Sequence, residues 1–368
     1  MRASAEPLSG TFARSDSEPT QAGEVWEPDF EAKIGLGRAQ LNALVRDLRT
    51  PSRVCFWGDF AATWLVAAAS FGLCFFAEDN LARALCFLAS VCATYRMTLF
   101  THELTHLPKG SVPGFRTAWN LFCGIPLLIP SFMYEAHLIH HDRRTYGTGA
   151  DGEYLEFASS ARSQGVLAVL SAVLAVPSLV VRFCVLAPIS GLFPALRRRV
   201  LRHASALNID FRAARPVPEP TPAPWVWQEV GCFGWCVALA LLVYQGVVPL
   251  RGLLLAAAVL TCAVGLNSLR VLAAHRYASR LPRSFADQVL DSNDFPHGAA
   301  SLWAPLGLRY HAMHHLFPSL PYHALGEAHR RVHAALPARS LLRETARKSL
   351  FSALNEVVGT RRKLEVAR

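Results

Sequence analysis

Four apolar runs alternate with polar, mostly basic connections along this chain. Residues 55–76, 81–100, 225–248 and 253–272 each come close to the roughly 20 apolar residues that cross a bilayer core, and each predicts a transmembrane helix. Glu78-Asp79-Asn80 turns the first run into the second, and Pro249-Leu250-Arg251-Gly252 turns the third into the fourth. Asp59 is the one awkward charge near the start of the first run, while Arg83 and Arg96 sit near the two ends of the second, where long side chains snorkel. Residues 119–134 are apolar but short and broken by Pro126 and Pro130, which predicts a segment that dips in and returns. Residues 165–196 are interrupted by Pro177, Arg182, Pro188 and Pro194, too short for two spans and too broken for one. They read as an interfacial or half-inserted hairpin.

The flanks follow other patterns. Residues 1–30, rich in Ser, Glu, Pro and Gly, lack periodicity and read as a disordered leader without the apolar core of a signal peptide. Residues 31–53 interleave Lys33, Arg38, Arg46, Arg49 and Arg53 with Leu36, Leu41, Leu44, Val45 and Leu48, the pattern of an amphipathic helix lying on a membrane. Residues 212–224 form a Pro-rich linker. The main domain spans 54–335, and 336–368 continue a helical pattern as a C-terminal tail.

Composition supports the membrane reading. Only 17% of residues are charged, against about 25% in ordinary soluble domains. The net charge of +10 comes from basic clusters at 33–53, 197–215 and 270–283, which all fall on one side of this topology. By the positive-inside rule that side is cytoplasmic. The basic residues flank apolar spans and form no basic domain, so nucleic acid is not the implied partner. Nine cysteines without a CxxC pair are small apolar fillers and not a thiolate site.

The candidate chemistry lies in the histidines. His311, His314 and His315 stand at i, i+3 and i+4, so on a helix their rings share one face. His137, His140 and His141 repeat that spacing, and His102 and His106 form an i, i+4 pair. With His275, just beyond the fourth run, these are nine of the chain's 14 histidines, each group following an apolar segment on the same predicted side. Neutral imidazole is a common metal ligand. Nine exceed what one ion uses, so the set predicts two metals, with iron, zinc or copper fitting a histidine-rich, carboxylate-poor shell. Glu103 and Asp142 adjoin the clusters and are candidates to orient ligand imidazoles. His203, His297, His323, His329 and His333 lack partners at ligand spacing and read as surface or supporting histidines. A rival motif is His102-Glu103-Leu104-Thr105-His106, which matches the HExxH of zinc metalloproteases with Glu103 as base. It leaves seven clustered histidines unexplained, and Asp291 is its only loose third ligand. A metal transporter would place histidines within the spans and not at their ends.

The order HELTH, HLIHH, His275 and HAMHHLFPSLPYH resembles the membrane fatty acid desaturase family over about residues 80–335. The resemblance implies that His102 and His106, His137, His140 and His141, and His311, His314 and His315 are the three boxes of a di-iron centre, with His275 as the additional ligand. It assigns no catalytic residue beyond those ligands. Some relatives hold a metal-bound water on an asparagine four residues before the extra histidine. Here that position is Val271, with Asn267 a turn further back. The implied protein is an all-α integral membrane protein with four transmembrane helices, re-entrant or interfacial segments and a cytoplasmic helical cap around two iron ions (Fe2+/Fe3+). The implied activity is O2-dependent desaturation of a fatty acyl or lipid substrate, with hydroxylation as the alternative. Electrons would come from an external ferredoxin or cytochrome b5 type donor, since no HPGG haem motif is present.

Overall fold

The computed structural model describes residues 28–154, 161–210, 212–277 and 284–357. Most of the expected leader and the end of the expected tail lie outside them. The described residues form helices, joined only by isolated bridges at Ser292 and Asp294 and by no strand.

The segment 31–53 differs from its expectation. It forms two short helices, α1 (Pro28–Ile34) and α2 (Arg38–Val45), ahead of α3 (Arg53–Phe76). The break falls at Gly35, whose φ of +86° suits glycine. Ile34, Leu41 and Val45 are fully buried in a protein core, so the apolar face of the pattern is covered by this chain itself.

Ser52 starts α3 by accepting from the Cys55 amide at 3.3 Å, and Asp79 starts α4 (Asn80–Thr98) by accepting from the Ala82 amide at 2.7 Å. After a one-residue joint α4 runs on as α5 (Phe100–His106), giving a 27-residue apolar helix over Asn80–His106. The short turn makes α3 and α4 an antiparallel hairpin. Their charges meet: Arg96 pairs with Asp59 at 2.8 Å, and the Tyr322 hydroxyl donates to the same carboxylate at 2.8 Å. The outer faces leave Leu65, Leu73, Leu85 and Leu88 more than half exposed, a surface suited to lipid.

Residues 115–136, which include the expected dipping segment 119–134, form α6 (Phe115–Trp119) and short turns with no helix long enough to cross. Asn120 closes the loop on Ser131, accepting from its amide and donating to its hydroxyl, both at 2.9 Å. Gly124 permits the close approach, since a Cβ there would stand 2.8 Å from the Trp119 ring. The next turn leads into α7 (His137–His141).

Residues 165–196 also depart from expectation. α8 (Ala161–Val180) carries Pro177 within it, a widened turn at Val181–Leu186 follows, and α9 (Ala187–Leu192) continues. The widened turn lies just before Pro188, which has no N–H to give the Cys184 carbonyl four residues back. Ala172–Leu192 is thus a fifth helix long and apolar enough to cross, where four were expected. Its Arg182 is buried and bonds to Glu229, which also binds Arg197.

α10 (Pro194–His203), α11 (Ala223–Tyr244) and α12 (Leu250–Ala274) lead to the last part of the chain. There α13 (Phe285–Leu290), α14 (His311–Leu316) and α15 (Leu325–Ala335) pack with α1 and α2 around Met313, Leu316, Leu325 and Val332. A second core of Phe56, Phe60, Phe100, Phe115, Trp119, Phe132 and Tyr322 joins the hairpin to the returning loop.

Candidate metal centre

Each histidine group is carried by an element fixed from outside. α5 delivers His102 and His106 as the buried end of a long helix. α7 and α14 have five and six residues, too short to hold themselves. Asp294 Oδ1 receives the first amides of α14, from Ala312 at 2.9 Å and Met313 at 3.4 Å. Asn293 ties the end of α12 to α14, receiving at its carbonyl the His311 amide (3.2 Å) and giving its own amide to the Ala274 carbonyl (2.8 Å). His275 therefore arrives beside His311, although the two lie 36 positions apart.

All nine sequence-predicted histidines converge, in two groups. Ligand nitrogens of His102, His106, His137, His141 and His314 lie within 4.8 Å of one another, as do those of His140, His275, His311 and His315. His141 Nε2 is 3.0 Å from His137 Nε2 and 3.1 Å from His314 Nε2. His311 Nε2 is 3.1 Å from His275 Nε2 and 3.2 Å from His315 Nε2. A ring nitrogen has one proton or one lone pair, so it cannot serve two such neighbours by hydrogen bonding. Two nitrogens about 2.1 Å from one ion at right angles lie about 3.0 Å apart, which is the observed spacing. The buried Nε2 atoms of His102 and His140 likewise have no hydrogen-bond partner among the described residues. The donor set fits two metal ions.

Several of the outward nitrogens are held by groups the pattern did not single out. His137 Nδ1 meets Glu153 Oε1 at 2.7 Å, and His140 Nδ1 meets Asp151 Oδ2 at 2.9 Å. Tyr146 donates its hydroxyl proton to Asp291 at 3.0 Å and so accepts from His275 Nδ1 at 2.9 Å. Such contacts fix the tautomer and turn Nε2 inward as a lone pair. Glu103 does stand by an imidazole, 3.4 Å from His102 Nδ1, and its other oxygen accepts the Tyr322 amide at 2.9 Å. Asp142 is spent on the Arg144 amide at 2.9 Å; the supporting carboxylates of the second box come 10 or more residues later, beyond helical spacing. Gly152 lets that loop close, because a Cβ there would meet the Asn208 side chain at 2.2 Å.

Burial drives His137, His141, His275, His311, His314 and His315 well below the usual histidine range, with neighbouring positive or ionisable groups adding to it. Burial thus favours their neutral form, the one that can bind a metal. Burial also opposes protonation of His140, but the adjacent Asp151 outweighs it and moves that imidazole upward. Burial pushes Glu153 up to about 7. Replacing Glu153 with Gln keeps the shape and removes the anion behind His137. Metal affinity or activity is expected to fall about 10–100-fold, read by metal titration of the purified protein; an unchanged affinity would show the contact to be passive.

Other expectations resolve as follows. Asn267 accepts from the buried Arg270 at 2.8 Å, and Val271, which has no side-chain amide, lies in an apolar cluster with Tyr146 and Tyr154. Asp291, the loose third ligand of the protease reading, accepts from Tyr146 and Tyr154 and sits behind His275, in the group that lacks His102 and His106. His203 and His297 are exposed, and His323 Nε2 accepts the Ser52 amide at 2.9 Å. His329 and His333 are half-buried and face Asp294.

Comparison with known proteins agrees with this geometry. The sequence profile described as fatty acid desaturase matches residues 79–346. A "Ceramide hydroxylase" of Caulobacter vibrioides (strain NA1000 / CB15N) is 38% identical over 323 residues, covering 86% of this chain and 92% of that protein. No solved structure matches significantly.

Proposed function

Because the chain belongs to the fatty acid desaturase family, we propose that it is an integral membrane, O2-dependent di-iron enzyme that hydroxylates a ceramide-like lipid. The observation that carries the reading is the convergence of nine imidazoles, seven buried and two half-buried, into one group of five and one of four. Two irons held there supply the oxidising power to attack an unactivated C–H bond, with dioxygen as co-substrate and electrons from an external ferredoxin or cytochrome b5 type donor. His102, His106, His137, His141 and His314 would hold one iron, and His140, His275, His311 and His315 the other. Asp151, Glu153, Tyr146 and Glu103 fix the imidazoles, and burial keeps bulk water from them.

Hydroxylation rests on the relative, whose similarity runs through the boxes and most of the chain. Desaturation of an acyl chain is the second reading, supported by the family profile and the box pattern. Lipid mass spectrometry after expression with a compatible reductant tests the pair.

Topology follows from parity. His141 and His275 reach one centre, so an even number of crossings separates them. α11 and α12 supply two, so the continuous Ala172–Leu192 helix would lie along one side of the bilayer despite its length. The centre then lies with the basic flanks, on the cytoplasmic face. A reporter fused in the 204–210 connection is expected to report the cytoplasmic side. A signal from the opposite side would sink the four-crossing arrangement.

A further inference from the structure

Two histidines outside the nine face a third buried ligand beside α14. His329 and His333 stand at i and i+4 on α15, and their rings stack with centroids 4.0 Å apart. Asp294 precedes α14. Its backbone is pinned by the Thr345 carbonyl at 2.9 Å and the Arg347 amide at 2.7 Å, and its side chain is fully buried. While Oδ1 receives the α14 amides, Oδ2 turns toward α15 and lies 3.8 Å from His329 Nε2. Asp294 Oδ2, His329 Nε2 and His333 Nε2 are all buried without a hydrogen-bond partner among the described residues. Ligand atoms of the three residues lie within 4.8 Å of one another.

Three converging, unpaired polar atoms are costly to bury unless something polar sits between them. Two imidazole nitrogens and one carboxylate oxygen are a donor set for zinc with a fourth position open, and ligands about 2.1 Å from a tetrahedral ion lie about 3.4 Å apart. The nearby cations are engaged elsewhere. Arg309 lies over the Tyr310 ring and donates to the Pro296 and His297 carbonyls, and Arg343 donates to the carbonyls of His333, Leu336 and Pro337.

We propose that Asp294, His329 and His333 form a separate site for one Zn2+ ion, which clamps α15 to the start of α14. The same carboxylate would then hold the ion through Oδ2 and the amides of Ala312 and Met313 through Oδ1. Zinc at α15 thereby steadies the short helix that carries His311, His314 and His315.

The test uses full-length protein purified in detergent from medium containing iron and zinc, with both metals counted per chain by mass spectrometry. The wild type is expected to hold about one zinc beyond its iron, and His333→Ala to lose that zinc. His333→Asn and His329→Gln, closer in volume, guard against misfolding and are expected to lose it too. Co2+ exchanged for zinc should give visible ligand-field absorption in the wild type and none in these variants. Wild type without zinc, its place taken by water, overturns the proposal. So does equal zinc in wild type and the folded variants, and so does zinc that survives His333→Asn but disappears with His315→Ala, since that zinc sits in the nine-histidine centre.

Discussion

Protein purified from iron-replete cells is expected to carry about two irons per chain, and His315→Ala to carry fewer and to lose lipid oxidation altogether. His315 is one of only four imidazoles in its group, and its Nε2 lies 3.2 Å from that of His311. Removing it leaves three, in a site where burial excludes most replacement ligands except water. The first group keeps all five imidazoles, so the loss should fall chiefly on one of the two irons. His203→Ala, at an exposed position away from both groups, is the matched control and should change neither count nor activity. Iron analysis and turnover measured on the same preparations separate a lost metal from a lost fold. Retained lipid oxidation in His315→Ala would contradict the assignment. One zinc that survives His333→Asn, with no iron, would return attention to HELTH as a metalloprotease motif.

The convergence of the histidines was legible in the sequence because helical periodicity and metal chemistry impose the same spacing. At i, i+3 and i+4, His137, His140 and His141 share one helix face, from which His137 and His141 reach one group and His140 the other. The four clearest spans were legible through length and hydropathy. What supports the ligands was not. Asp151 and Glu153 lie in a polar loop where acidic residues are ordinary, and Tyr146, itself backed by Asp291, meets His275 from 129 positions away. Contacts of that kind depend on how elements pack, and no local period encodes them. Asp142 stood next to its box in sequence and was passed over for the same reason: the chain turns there, and the Arg144 amide takes its carboxylate. Ala172–Leu192 misled in the other direction, since Pro177 reads as a break but sits inside a continuous helix. Leu41 and Val45 looked membrane-facing until α15 and its neighbours covered them.

Expressed with a compatible reductant in a host that makes ceramide, the protein is expected to yield a lipid heavier by one oxygen, absent from His275→Ala. Hydroxylation and desaturation share their beginning, the removal of hydrogen from an unactivated carbon, and they share the metal centre. They differ in whether that carbon gains oxygen or its neighbour also loses hydrogen. Sub-ångström placement of the chain decides between them, and misplacement on that scale changes outcomes readily. The box pattern alone favours desaturation, since HAMHHLFPSLPYH most resembles acyl desaturases. The relative shifts the balance, because it is 38% identical over 86% of this chain. His275 is the informative variant. It reaches the centre from the end of α12 and not from a box, and Tyr146 and Asp291 hold it, so its loss tests the whole assembly. A ceramide or acyl product lacking two hydrogens and carrying no added oxygen would overturn hydroxylation and leave the centre intact. An oxygen gain that persists in His275→Ala would separate the activity from this centre and remove the ground for both readings.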